Sequence, residues 1–434
     1  MSTKTVTIVG AGLAGSEAAW QLARRGIPVR LIEMKPVKYS PAHKNPGFAE
    51  LVCSNSLKAE HLSNASGLLK AELRAMDSLV LRCAEASRVP AGGALAVDRE
   101  GFARCVTEKL EAQENIEIVR EEATEIPEGE VIVATGPLSS DAIAEKIAAL
   151  CPDSDLHFYD AVAPIVTLES VDMESAFFAS RYDKGTADYV NCPMDRDEYL
   201  AFVRELVSAK EAEVHGFDDA GVFEGCMPVE VMARRGVDTL RYGPLKPVGL
   251  RDPRTGRENY AVVQLRRDNA DGTIYNMVGF QTHLTWPEQK RVFSMIPALR
   301  NAEFVRYGVM HRNTYLNGPR LLDRYYRVKD DPDLIFAGQI TGVEGYVEST
   351  ASGALAAIEL ARRLLGKAPV DFPQETAIGA LALYVSGGSV GDFQPMNVNF
   401  GIMPPLGYRV KGKRNKNAVL SQRALEILAT LDTE

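Results

Sequence analysis

No apolar run in the 434-residue chain approaches the roughly 20 residues that a membrane-spanning helix needs, so no membrane partner is expected. Cysteine is scarce: Cys53, Cys83, Cys105, Cys151, Cys192 and Cys226 form no CxxC pair, and the nearest two lie 22 residues apart. That spacing argues against a structural zinc site and against a secreted disulfide framework. The thiols are expected to be reduced, mostly as packing residues of a cytoplasmic protein. Histidine is equally sparse, and His43 and His283 have no metal-ligand spacing, so no metal is expected. The N-terminus runs from a strand into glycines, with Glu17, Arg24 and Arg25 soon after, which is not the pattern of a signal peptide. There is no internal repeat and no low-complexity tail. Excess positive charge is also missing. The formal net charge of −9 argues against a polyanion gripped by the whole surface and leaves room only for a local basic face. Two stretches qualify: Arg234, Arg235, Arg241, Lys246, Arg251, Arg254 and Arg257, and Arg409, Lys411, Lys413, Arg414 and Lys416. Each is by default a solvated loop.

What is present is the balance of a soluble globular protein, 46% hydrophobic and 25% charged, long enough for two or three domains. Residues 5–9 read as a buried strand, 14–25 as a helix and 28–33 as a second strand, with GAGLAG at residues 10–15 between them. This is the setting that the dinucleotide fingerprint requires. Gly10 permits the tight turn, Gly12 lets the backbone approach a pyrophosphate, and Gly15 lets helix and strand pack closely. Ala11, Leu13 and Ala14 complete the loop, whose helix end offers free N–H groups and a positive dipole. Glu33 ends the second strand, where a carboxylate accepts from ribose hydroxyls and repels a 2′-phosphate. Helices are predicted over residues 66–80 and 98–113, the latter capped by Asp98, and strands over 116–120 and 130–134. The second of these strands ends in ATG at Gly136. A later strand, residues 334–338, ends in Gly338–Gln339 and leads to a helix opening at about Glu348.

Three strand-end motifs spread over the chain point to FAD rather than NAD, because a two-domain flavoprotein brings a late strand and helix back to the flavin. The expected fold is therefore α/β: a Rossmann-like, glutathione-reductase-like FAD-binding domain (residues 1–154 and 321–434) with an inserted α+β substrate and RNA domain (residues 155–320). Many such flavoproteins have GD where this chain has Gly338–Gln339.

Four segments carry a more specific likeness: AELVCSNSLKAE around Cys53, FEGCMPVEVMARRG around Cys226, GQITGVEGYVES, and PMNVNFGIMPPL. Together they resemble the folate- and FAD-dependent tRNA (uracil-5-)-methyltransferases, and the resemblance runs end to end. It implies that a one-carbon unit leaves 5,10-methylenetetrahydrofolate, is reduced with electrons from FAD, and becomes the C5 methyl of a T-loop uridine in tRNA. NAD(P)H would recharge the flavin. There is no second GxGxxG for it, so a transient visit to the flavin face is expected. C5 of uracil becomes nucleophilic when a thiolate adds to C6, and a base must later remove the C5 proton. Cys226, followed by Arg234 and Arg235, is assigned as the nucleophile. Cys53, with Lys58 nearby, is assigned as acid/base or methylene relay, and the two roles are exchangeable. Tyr346, placed in the turn before the late helix, would stack on the isoalloxazine and leave its other face for the pterin. Met310, His311, Arg312, Asn313, Asn397 and Asn399 offer hydrogen-bonding groups for pterin or flavin. The competing readings are an FAD enzyme installing another uridine modification, a small-molecule FAD oxidoreductase, and an RNA-binding scaffold that keeps FAD for stability.

Overall fold

The computed structural model describes residues 4–150, 157–161, 163–183, 186–212, 227–269, 271–308, 310–388, 393 and 395–434. The apolar run Val6–Val9 becomes the centre of a six-stranded sheet ordered Arg327–Val328, Asp331–Phe336, Val131–Val133, Val6–Val9, Val29–Glu33, Ile116–Arg120. All neighbours are parallel except the short outer pair at Arg327–Val328. A strand buried on both faces needs apolar residues throughout, and Ile8 pairs with Leu31 on one side and Ile132 on the other. The first helix, Leu13–Ala23, and the long helix Tyr346–Leu364 pack on each other over this sheet. Their crossing is close: a Cβ on Gly353 would lie 2.2 Å from the Ala14 carbonyl oxygen.

A second six-stranded sheet is antiparallel throughout, in the order Phe177–Ala179, Tyr189–Met194, Ala261–Arg267, Ile274–Met277, Ile165–Thr167, Phe304–Arg306. It shares a core with helices Arg196–Ser208, Val229–Arg234 and Trp286–Phe293. Asp195 caps the first of these by a reciprocal pair with Glu198. The core of the parallel sheet takes residues from both ends of the chain, whereas the antiparallel core draws only on the middle. The strands His157–Ala161 and Met310–Thr314, on the two stretches that join these cores in sequence, pair with each other.

The Rossmann-like α/β arrangement is the one expected, and three local details differ. The single helix expected over residues 66–80 is two, Ala65–Ala75 and Leu79–Ala86. The break is made by Asp77 at φ +60° and by Ser78, whose side chain accepts from Leu81 N. Glu17, buried in the first helix, fixes the break by accepting from Ser78 Oγ (2.8 Å) and Val80 N (3.1 Å). Asp98 precedes helix Arg99–Glu111 as expected, yet its side chain makes no capping bond. The late helix begins at Tyr346 rather than near Glu348, so Tyr346 is its first residue and not part of the preceding turn.

Candidate functional site

Ligands of open parallel sheets bind outside the carboxyl ends of the strands, and a cleft of about 1070 Å³, counted with its solvent-facing mouth, lies there. Its lining includes Gly10, Ala11, Gly12, Leu13, Ala14, Glu33, Gly136, Gly338, Gln339 and Tyr346, brought together from three distant parts of the chain. The three glycines of the first turn do different things. Gly10 has φ +97°, and a Cβ there would sit 2.7 Å from the Ala134 carbonyl oxygen. A Cβ on Gly15 would lie 1.8 Å from the Gly10 carbonyl oxygen, so only glycine lets the helix leave the strand so tightly. A Cβ on Gly12 would meet nothing within 4 Å, so the protein itself makes no demand for glycine at that position. Glu33 spans the mouth of the turn: its carboxylate accepts from Ala11 N (2.8 Å) and Lys35 N (3.0 Å). Gly338, at φ +87°, donates its N–H to Ser352 Oγ (2.7 Å), and the Gln339 amide donates to Glu344 (2.9 Å).

Tyr346 joins this cleft to a cysteine. Its hydroxyl accepts from the backbone N–H groups of Cys53 (2.8 Å) and Ser54 (3.0 Å), and burial pushes its own proton affinity up. The segment carrying Cys53 is held from other sides as well. Arg99 donates to the Leu51 carbonyl oxygen (2.7 Å) and pairs with Asp268 (3.0 Å). Arg266, buried, donates to Ser54 Oγ (2.6 Å) and Asn55 Oδ1 (3.1 Å). The Asn55 amide donates in turn to the Val97 and Arg267 carbonyls. Arg306 lies close enough for the Cys53 thiol and Tyr346 to act on its charge, although burial is what lowers its pKa most. None of Arg99, Arg266, Asp268 and Arg306 was visible as a site residue in the sequence: they come from three separate stretches, and only Arg266 and Asp268 are close together in the chain.

Cys226 lies outside the described residues. Its expected neighbour Arg234 pairs with Glu211, and Glu211 also lies 2.5 Å from His283. Lys58, expected near Cys53, has φ +63° and turns toward the late helix, where it meets Glu348 (3.2 Å) and Asn397. Asn399 bonds its own turn, accepting from Gly401 N (2.9 Å). Met310, His311, Arg312 and Asn313 form the strand that pairs with His157–Ala161. Cys83 and Cys105, the two nearest cysteines in sequence, are also neighbours in space: their sulfurs lie 2.7 Å apart between the helices Leu79–Ala86 and Arg99–Glu111. Among the described residues no group of side chains could hold a metal ion, and no helix is long and apolar enough to cross a membrane.

A family model described as glucose inhibited division protein A matches residues 5–368. A protein of Acetivibrio thermocellus named methylenetetrahydrofolate--tRNA-(uracil-5-)-methyltransferase TrmFO is 61% identical over 424 residues, covering 98% of this chain and 97% of the relative. The chain belongs to that methyltransferase family. A protein of the same name from Lactiplantibacillus plantarum is 56% identical and covers 100% of this chain and 98% of its own length. Among solved structures, GidA of Aquifex aeolicus superposes with a TM-score of 0.70 over 98% of this chain and 73% of that one. At 16% identity it shows the shared fold alone.

Proposed function

We propose that this chain transfers a one-carbon unit from 5,10-methylenetetrahydrofolate to C5 of a T-loop uridine in tRNA, with FAD as the electron carrier and NAD(P)H as its reductant, in the cytoplasm. The observation that carries the reading is Tyr346, which lines the cleft and whose hydroxyl holds the backbone of Cys53. The family's full-length relatives, named for this reaction, support it. The cleft fits FAD: Gly12 leaves open the space that a pyrophosphate would take, and Glu33, in the cleft lining, would offer its carboxylate to ribose hydroxyls. Gly10, Ala11, Gly12, Leu13, Ala14, Gly15, Glu33, Gly136, Gly338, Gln339 and Tyr346 are the residues assigned to it. When bound, FAD supplies the electron pair that turns a transferred methylene into a methyl group. Two separate cores support dividing the chain at about residues 155 and 320.

The protein's own part is proton and carbon handling. The Cys226 thiolate adds to C6 of the uracil, placing charge on O4 and making C5 nucleophilic. Cys53 takes the C5 proton or relays the methylene. The guanidinium groups of Arg99 and Arg266 hold its segment from either side, donating to the Leu51 carbonyl oxygen and to Ser54 Oγ. Flavin-loaded protein incubated with unmodified tRNA, 5,10-methylenetetrahydrofolate and NADH should yield 5-methyluridine on nucleoside analysis. Flavin turnover without that product would remove the reading.

Tyr346→Phe tests the positioning of Cys53. The substitution keeps the ring and deletes the acceptor of two N–H groups, each costing about 1–3 kcal/mol when left unsatisfied. Flavin content should hold while the single-turnover methylation rate falls roughly tenfold or more, since about 1.4 kcal/mol is a factor of ten. An unchanged rate would mean that the hydroxyl does not position Cys53.

A further inference from the structure

We propose that a cation-lined groove leading to the Lys58–Glu348 pair carries the phosphate backbone of the RNA substrate; this rests on the reading above and names the surface that it leaves open. Two adjoining hollows, with open space of about 880 and 1370 Å³, share Ser63 and Asn64 in their walls. The inner one is lined by Lys58, Lys413 and Glu348, and the outer one by His61, Arg181 and Arg414. Among the described residues Glu348 is the one carboxylate in either lining, and Lys58 neutralises it at 3.2 Å. In a protein with net charge −9 such segregation of cations is not the general condition of the surface.

The groove has a direction. Lys411, Lys413, Arg414 and Lys416 are exposed around the start of helix Lys413–Leu428, where Lys413 lines the inner hollow and Arg414, in the outer one, reaches His61 Nε2 at 3.3 Å. At its inner end Glu348 lies in the first turn of the helix that begins with Tyr346, and the Tyr346 hydroxyl holds Cys53 N at 2.8 Å. A strand whose phosphates follow the cations from Arg414 to Lys58 therefore arrives beside the Cys53 segment, where a base turned out of its stack meets the thiol. The other basic stretch offers less to a polyanion, because Arg234, Arg241 and Arg254 already pair with Glu211, Asp238 and Asp252.

The competing anion is the carboxylate chain of a polyglutamylated folate, and the experiment separates the two. In the full-length flavin-bound protein, Lys411, Lys413 and Arg414 are replaced together by Ala, and the dissociation constant for an unmodified tRNA transcript is measured against KCl concentration. Each phosphate contact on a single strand contributes about 0.7 to the slope of log K on log salt. The triple variant should lose roughly two units of slope and bind tRNA at least about tenfold more weakly near 0.1 M salt, with flavin content and melting temperature unchanged. The charge-keeping triple variant, Lys411→Arg, Lys413→Arg and Arg414→Lys, should restore the slope, and Arg254→Ala should leave it intact. Unchanged slope and affinity in the Ala variant would overturn the proposal. So would intact tRNA binding with a raised KM for pentaglutamyl but not monoglutamyl methylenetetrahydrofolate, which would assign the groove to the folate tail. Formation of 5-methyluridine by the unaltered protein is scored separately, so loss of the groove assignment leaves the reaction standing and loss of the reaction is seen as such.

Discussion

An RNA carrying 5-fluorouridine at the target position should remain covalently attached to the unaltered protein in the presence of methylenetetrahydrofolate, and Cys226→Ala should abolish that band on a denaturing gel. Addition of a thiolate to C6 is reversed when the C5 proton leaves, and fluorine at C5 cannot leave as a proton, so the adduct persists. The expected change is from most of the RNA trapped to none. Cys53→Ala is the discriminating partner. If Cys53 is the base, that variant should still trap RNA while forming no 5-methyluridine, because carbon transfer to C5 comes before proton removal; if Cys53 relays the methylene, band and product should both be lost. The reverse outcome, a band lost in Cys53→Ala and kept in Cys226→Ala, would exchange the two roles. Cys83→Ala, Cys105→Ala and Cys192→Ala should keep both band and product. Cys83 and Cys192 are buried, which pushes their thiols up and away from the thiolate form. A band that survives every cysteine replacement would show that the nucleophile is not a cysteine.

Two glycines of the same turn should fail in opposite ways. Gly12→Val places its Cβ where no protein atom lies within 4 Å, so the fold should form in normal yield. The branched side chain would occupy the space beside the pyrophosphate, and flavin should fall from near one per chain to less than about a tenth, since a close backbone approach is lost. Gly15→Ala puts a methyl group 1.8 Å from the Gly10 carbonyl oxygen, a contact that only backbone movement relieves. That variant should be recovered in low soluble yield with a lowered melting temperature whether or not flavin is supplied. The ratio of flavin to protein absorbance, read beside the melting curve, separates the two. Full flavin occupancy in Gly12→Val would remove the cofactor assignment of this turn.

The parts of this molecule that were legible in its sequence are those fixed by residues close together in the chain. The glycine spacing at 10, 12 and 15 and the acidic residue at 33 encode a strand–turn–helix–strand unit within one window, and the fold follows it. Where a distant partner decides, the sequence falls silent. The break at Asp77 depends on Glu17, which reaches Ser78 across 61 residues. The hold on the Cys53 segment depends on Arg266, more than 200 residues away, and on Tyr346, almost 300 away. The cysteines at 83 and 105 were expected as packing residues, and the packing of two helices brings their sulfurs within 2.7 Å of each other, a contact that no spacing announces. Lys58 was read as a neighbour of Cys53 from adjacency alone, and its left-handed backbone sends the ammonium to Glu348 instead.

The strand order of the parallel sheet also has a consequence for how the chain is made. Val131–Val133 pairs on one side with Val6–Val9 and on the other with Asp331–Phe336, which follows about 200 residues later. At roughly 5–20 residues per second, a ribosome leaves that edge without its partner for about 10–40 seconds. During this interval the antiparallel core, whose residues all lie between, can close on itself while the earlier strand still presents unpaired N–H and C=O groups. Assembly of the cleft therefore waits for the last third of the chain, and a ribosome stalled before residue 331 exposes a sticky sheet edge rather than a small flavoprotein.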